Sequence, residues 1–332
     1  MAIGKASDMK VYQEEFQSGM IERVAQFLGV FNEGTRGAIR LIPSALKGDY
    51  SKAAFFKDVS GLVSRRDTTI TTAVTDLALT QDEVISVKLN RKVGPLAQTL
   101  DAIKKANITE AEASRAFGVL AGEQKMKDMV DAAIRSVAAA IGATAAMVSD
   151  VSVTTGTRVP SSPGALNTAL ALMGDAAQDV VCWVGHSRPN FDIIGALIAG
   201  TTSGLADVAT IQGALPGYLG RPSIITDSAA LTFTDTYVKY RTLGLVRDAV
   251  IVTESEEESF ATEMVTGLEN LVRRWQSEHA FNVECKGYKW DIANGGANPN
   301  DTALALSTNW DKVATSDKHT PGVLLITNAA TA

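Results

Sequence analysis

Cysteine is almost missing from this chain: its 332 residues hold two, Cys182 and Cys285, far apart in sequence. That excludes a disulfide framework and zinc-type spacing, and it fits a reducing compartment. Cys182 lies inside an apolar run and reads as a buried, inert thiol. Histidine is scarce too, and of the three, His279 and His319 have no metal-ligand partners at helical or loop spacing. No stretch of about 20 apolar residues is free of charge, so no helix is expected to span a bilayer. The N-terminus, MAIGKASDMK, has no apolar signal core. No internal repeat is visible. The formal net charge is -6, so nothing draws the chain as a whole to nucleic acid or to an anionic membrane. A protein that encloses nucleic acid without gripping it stays within these limits.

Catalytic patterns are lacking as well. There is no G-x-S-x-G, and Gly200-Thr201-Thr202-Ser203-Gly204 has its serine one place late. His186 and Ser187, adjacent on one strand, are expected to face opposite ways, poor geometry for a nucleophile and its base. Gly295-Gly296 lacks the Lys-Ser/Thr of a phosphate loop. The acidic run Glu254, Glu256, Glu257, Glu258 lacks the Asp/Asn/Gly pattern of a calcium loop. The pairs Arg65-Arg66 and Arg273-Arg274 are not interleaved with aromatics, as a single-strand platform would require. No cofactor, metal or catalytic residue is therefore expected.

What is present suits a folded protein: 45% apolar and 20% charged residues. The densest apolar block runs from Gly164 to Ala199 and reads as helix, turn, strand, turn, helix. Ala165, Leu166, Ala169, Leu170, Leu172 and Met173 give one helical face. Gly174-Asp175 stops that helix with a left-handed cap. Val180 to Val184 is the run of a strand covered on both faces. Pro189 bars a simple continuation, and Phe191 to Ile198 is again helical.

Upstream, residues 7–32 read as an amphipathic helix through Val11, Phe16, Met20, Val24, Phe27 and Leu28, either an arm or a first core helix. Residues 35–95 read as two-stranded extended structure with few core residues. From Arg36 to Arg66 they carry Arg36, Arg40, Lys47, Lys52, Lys57, Arg65 and Arg66 against Asp49 and Asp58, a basic stretch in an acidic chain. Such an excursion fits a partner surface on another subunit. Thr109-Glu110-Ala111-Glu112 is a capping box. Beyond it, apolar residues recur at helical steps to Ile141, which predicts a helix of roughly 50 Å with weak points at Gly118 and Gly122. Downstream, strands are expected at 223–226 and 249–253, a helix through Met264, Leu268, Leu271 and Val272, and a strand over 280–292 bulged at Gly287.

The block ALNTALALMGDAAQDVVCWVGHSRPNFDIIGAL resembles the helix–strand–helix of major capsid proteins of tailed bacteriophages. Met173-Gly174-Asp175 matches the family's helix end, Val180 to Val184 its strand, and His186-Ser187 the strand's close. LGRPSIITDS at 219–228 is similar to the family's Gly-x-Pro-Val-Ile-Val-x-Asp. RTLGLVRDAVIVTESEE at 241–257 resembles its Leu-Gly-x-Gly-Ala strand with following acids, although Arg247-Asp248 replaces the usual Gly. KGYKWDI, NPNDTALALSTNWDKV and PGVLLI follow in order.

The resemblance implies an α+β chain with the Hong Kong 97-type capsid fold: N-terminal arm 1–35, extended loop region 36–95, a peripheral domain with a long spine helix from 96–153 and 245–300, and an axial domain from 154–244 and 301–332. It further implies hexamers and pentamers that close an icosahedral head around double-stranded DNA held without sequence specificity, assembled in the host cytoplasm and kept in the virion. A separate scaffolding protein and a portal are the expected partners, with no membrane. Some relatives link a loop lysine to a neighbour's asparagine, and no motif here aligns a residue with that reaction. The candidate intersubunit contacts are Arg36, Arg40, Lys57, Arg65 and Arg66 on the loop, with Glu254, Glu256, Glu257 and Glu258 opposite. The alternatives are a bacterial nanocompartment shell of the same fold and an α/β enzyme.

Overall fold

The computed structural model describes residues 32–329, apart from 43–48, 58, 60, 67, 70, 72, 107–108, 202–216, 219 and 268. The expected amphipathic helix over 7–32 lies, but for Asn32, outside the described residues. In chain order the strands are β1 Ile39–Ile42, β2 Tyr50–Phe56, β3 Gln81–Thr99, β4 Val148–Asp150, β5 Val180–Gly185, β6 Gly217–Tyr218, β7 Arg221–Ile225, β8 Thr232–Thr234, β9 Val238–Val246, β10 Val250–Val265, β11 Val272–Cys285, β12 Tyr288–Trp290, β13 Trp310–Lys312 and β14 Gly322–Asn328. One sheet has the order β1-β10-β11-β3-β2. A second has the order β4-β14-β9-β5-β7-β6, with β8 paired to β9. β12 and β13 form a small ribbon, joined in register by Trp290↔Trp310.

The spine helix spans Glu110–Gly142 without a break at Gly118 or Gly122. Its start is the expected capping box: the Thr109 side chain accepts from Glu112 N–H, and the Glu112 carboxylate accepts from Thr109 N–H at 2.8 Å. The Thr109 N–H and then its hydroxyl, both donating to the carboxylate, hold the Glu112 carboxyl below the usual carboxylate range. Toward its other end the helix is buried all round, from Ser136 to Ile141. Small residues there, Ala138, Ala139 and Ala140, let neighbouring elements approach closely. Ile134, Val137 and Ile141 share one continuous core with Ile85, Val87 and Leu89 of β3, Phe281 and Val283 of β11, and Leu243, Leu324 and Leu325 of the second sheet.

The Gly164–Ala199 block follows its expected order. A helix over Pro163–Ala171 is capped by Ser162, whose side chain accepts from Ala165 N–H. Gly174 takes φ +56, the left-handed conformation that glycine adopts at least cost. β5 lies between β9 and β7, which explains its unbroken apolar run. Trp183 on β5 is fully buried over Gly244 of β9, where an added Cβ would meet the indole at 2.8 Å. Pro189 does not delay the next helix: it sits in the first turn of Ser187–Thr201, where its missing N–H costs nothing.

Three expectations are corrected. The described residues of 264–274 are not helical: β10 and β11 form a long antiparallel hairpin in which Met264 pairs with Arg273 and Val265 with Val272. Gly267, at φ +85, belongs to its turn, and Leu271 is half exposed and contributes no helical core face. Gly287 is not a bulge within a strand. It sits at φ +73 in the turn between β11 and β12. The 35–95 excursion holds three strands and not two, because β1 pairs separately with β10 while β2 pairs with β3, and Ile85, Val87 and Leu89 are core residues, because β11 pairs along the other edge of β3.

Candidate assembly surfaces

β2 and β3 pair from Tyr50↔Val87 out to Phe56↔Gln81, and Lys57 N–H extends the ladder to Thr80 O at 2.9 Å. Beyond that rung the described residues between 57 and 80 include no strand. Val63 is 94% exposed and Val74 87%, and Leu62, Leu77 and Leu79 are also mostly in solvent. Single exposed apolar residues are ordinary, but this many in one loop mark an interaction surface.

The basic candidates fall in different settings. Arg36 is exposed in the turn before β1, in a left-handed conformation with φ +51. Arg40 on β1 donates to Asp248 at 2.8 Å, and Asp248 itself takes φ +56. Lys57 lies 2.7 Å from Asp82. That side-chain bond, with the Glu83 N–H, holds the Asp82 carboxyl below the usual range. Arg65 and Arg66 are exposed at the loop tip. Opposite in sign, Glu254 on β10 lies 2.9 Å from Lys125 of the spine helix. Glu256, Glu257 and Glu258 follow along β10, where the register shifts on both sides of Glu256. Arg40, Lys57 and Glu254 thus have partners inside their own chain.

A polar seam under the middle of the spine helix was not foreseen. Arg91 of β3 bridges Asp128 of the helix at 3.0 Å and Asp301 at 2.7 Å. Burial raises the Asp128 carboxyl despite that arginine. Beside them His279 of β11 is buried, stacks on Phe281, and has no hydrogen-bond partner on either ring nitrogen. Burial, then the charges of Lys125 and Arg91, push it down to about 4. The signal for this seam was the alternation Trp275, Ser277, His279, Phe281, hidden by the expectation of a helix just upstream.

His186 and Ser187 do not face opposite ways, because Ser187 already opens a helix. Ser187 Oγ lies 3.4 Å from His186 Nδ1, and Asp227 Oδ1 lies 3.5 Å from Nε2. The group resembles a catalytic triad in composition only. His186 Nδ1 accepts from Arg188 N–H at 3.2 Å, so the lone pair that a general base needs is engaged. Asp227 accepts from Ser187 N–H, and its bonds from Ser187 hold it below the usual range. Together they cap the helix. Cys182 is inert as expected, its thiol pushed up to about 12 by burial. Among the described residues no helix is long and apolar enough to cross a membrane, and no cluster of metal-ligating side chains is found.

Two sheets thus share a core with one long helix, and a hairpin ends in exposed apolar residues. The fold matches a chain of the cyanophage Pam1 capsid asymmetric unit with a TM-score of 0.54 at 14% identity, covering 90% of this chain and 93% of the other. It matches the capsid of Ralstonia phage GP4 with a TM-score of 0.51 at 12% identity, over 89% and 88%. It also matches a chain of Mycobacterium phage Bobi with a TM-score of 0.51 at 13% identity, over 88% and 89%. No curated protein matches in sequence. The model of the Gp13-like family, major capsid protein 13-like, matches residues 8–324, and the chain belongs to that family. It is a structural protein of the phage head shell and associates with itself.

Proposed function

We propose that this chain forms hexamers and pentamers that close into an icosahedral head around double-stranded DNA. The function is association, without a catalytic step. The observation that carries the reading is the β2–β3 hairpin, which ends in a loop with Leu62, Val63, Val74, Leu77 and Leu79 exposed. Laid over a neighbour, that loop would bury them. In this reading β10, β11 and the spine helix form the peripheral domain, the second sheet forms the axial domain, and residues 36–95, which add β1, β2 and most of β3 to the five-stranded sheet, are the extended loop region.

Magnitudes decide which groups matter. An exposed ion pair contributes ~0–1 kcal/mol, whereas fully burying one Leu or Val side chain contributes ~1.5–3 kcal/mol. The apolar loop residues therefore supply most of the stability. Arg36, Arg65 and Arg66, with Glu256, Glu257 and Glu258 on a neighbour, set register. A net charge of -6 suits an inner wall that holds packed DNA without sequence specificity. Assembly on a separate scaffolding protein and a portal, in the host cytoplasm, completes the proposal. The test is the double reversal Arg65→Glu with Arg66→Glu, followed by electron microscopy and shell yield. Loss of closed shells is expected, and normal shells at normal yield contradict the role given to those charges.

A further inference from the structure

The β8–β9 hairpin of the second sheet sets cations over aromatic rings. Phe233 of β8 pairs with Lys239 of β9, so the two side chains leave one face. Arg241, two residues on, shares that face. Its guanidinium carbon lies 4.6 Å from the centre of the Phe233 ring, and Lys239 Nζ lies 5.8 Å from it. At the hairpin's turn the Arg158 guanidinium lies over the Tyr237 ring at 4.7 Å. Carboxylates do not match these charges. Lys239 has Asp235 at 3.6 Å, and that side chain is 56% exposed. Neither arginine has an acidic partner among the described residues. Arg241 donates to the Ala230 carbonyl at 3.3 Å, and burial pushes its guanidinium down from the usual arginine value. Asp150, in register with Arg241 across β14, accepts from the N–H and hydroxyl of Ser152.

A partly buried cation without a counter-charge is costly, and an anion from outside the chain would offset that cost. Three positive groups on one hairpin suit a polyanion. Residues two apart on a strand stand ~7 Å apart, the same order as the step between successive phosphates of one DNA strand. Each ring already has a cation over it, so neither is an open platform for an unpaired base. Val238 is the hairpin's exposed large aliphatic residue, and it points to the opposite face, which leaves no apolar anchor for a peptide beside the cations. We infer that Arg158, Lys239 and Arg241 form a phosphate-contact site for double-stranded DNA, bound through its backbone without reading its sequence. Phe233 and Tyr237 hold the cations in place. The inference rests on the reading that the chain encloses DNA, and it sets the β8–β9 hairpin on the wall that meets it.

The test is fluorescence anisotropy of a short labelled DNA duplex, titrated with the purified full chain below its assembly concentration, over a series of salt concentrations. The logarithm of the binding constant should fall linearly with that of the salt, with a slope of about -2.7 for three neutralised phosphates. Arg158→Gln should bring the slope about 0.9 closer to zero and weaken binding several-fold. Arg241→Lys keeps its charge and should hold the slope. The pair Arg65→Gln with Arg66→Gln lies outside the patch and should change neither quantity. An unchanged slope in Arg158→Gln, or an equal change in the Arg65 and Arg66 pair, overturns the site. Labelled poly-glutamate that binds as tightly as the duplex makes a protein carboxylate the partner and overturns the DNA assignment. The same variants are examined as phage heads. Normal DNA-filled heads beside unchanged duplex binding overturn the site and leave the enclosing reading standing. Parent heads that hold no DNA overturn that reading and the inference with it.

Discussion

Lys125 Nζ of the spine helix lies 2.9 Å from Glu254 Oε1 of β10, with the lysine side chain 6% exposed and the glutamate 33%. The pair ties the helix to the sheet just before the register of β10 shifts between Glu254 and Glu256. Removing one partner strands the other charge in a partly buried site. Full burial would make that loss ~3–5 kcal/mol, and the exposure of Glu254 reduces it to about 1–3 kcal/mol. Lys125→Met keeps the apolar stem and should lower the unfolding free energy by that amount, read from denaturant titration. Adding Glu254→Gln should restore part of it. Equal stability of the single variant and the parent would remove the pair from the account.

Gly244 is the point where Trp183 and β9 touch. An added Cβ would meet Trp183 Cζ3 at 2.8 Å and Val323 Cγ2 at 2.9 Å, both in the core. Gly244→Ala therefore overpacks the junction of β5, β9 and β14, at a cost of ~1–3 kcal/mol. Thermal unfolding should show it, with a shift in the near-ultraviolet signal of the buried indole. An unchanged melting temperature contradicts the packing described.

Acid should loosen the seam under the spine helix. His279 titrates near 4 in the fold, below its ordinary value of about 6.5. The unfolded chain therefore takes up the proton first as pH falls. Stability from this group is present above about 6.5 and is lost as pH falls toward about 4. Asp128 works the other way, since burial raises its carboxyl and its protonation favours the fold. The measurement is the difference in melting temperature between the parent and His279→Phe from pH 7 to pH 4.5. A steeper acid loss in the parent is expected, and parallel curves contradict it.

The capping box at the head of the spine helix is worth about 1 kcal/mol. Thr109→Ala should lower stability by that much and speed amide exchange in the first turn, with the buried end from Ser136 to Ile141 unaffected. Exchange that changes along the whole helix would mean that the helix is a single cooperative unit with its cap.

The features legible in the sequence were those set by near neighbours. The box Thr109/Glu112 spans three residues, and the spine helix, Gly174 and β5 each follow from spacing or composition within a short window. Long-range pairing hid the rest. Trp275 pairs with Leu96 and Met264 with Arg273, and that ladder overrides the helical spacing of Met264, Leu268 and Leu271. Arg40 and Asp248 are 208 residues apart, so nothing local in the basic stretch shows that one of its cations is matched at home. His186 and Asp227 are brought together only when β5 pairs with β7, and that contact turns a suspected reactive pair into a helix cap.

The central claim, that self-association into a closed shell is the function, is tested most directly by electron cryomicroscopy of the purified full-length protein. The account predicts closed icosahedral particles in which the β2–β3 hairpin of each subunit lies on a neighbour. Discrete small oligomers, with the loop from 57 to 80 free in solvent, would contradict it.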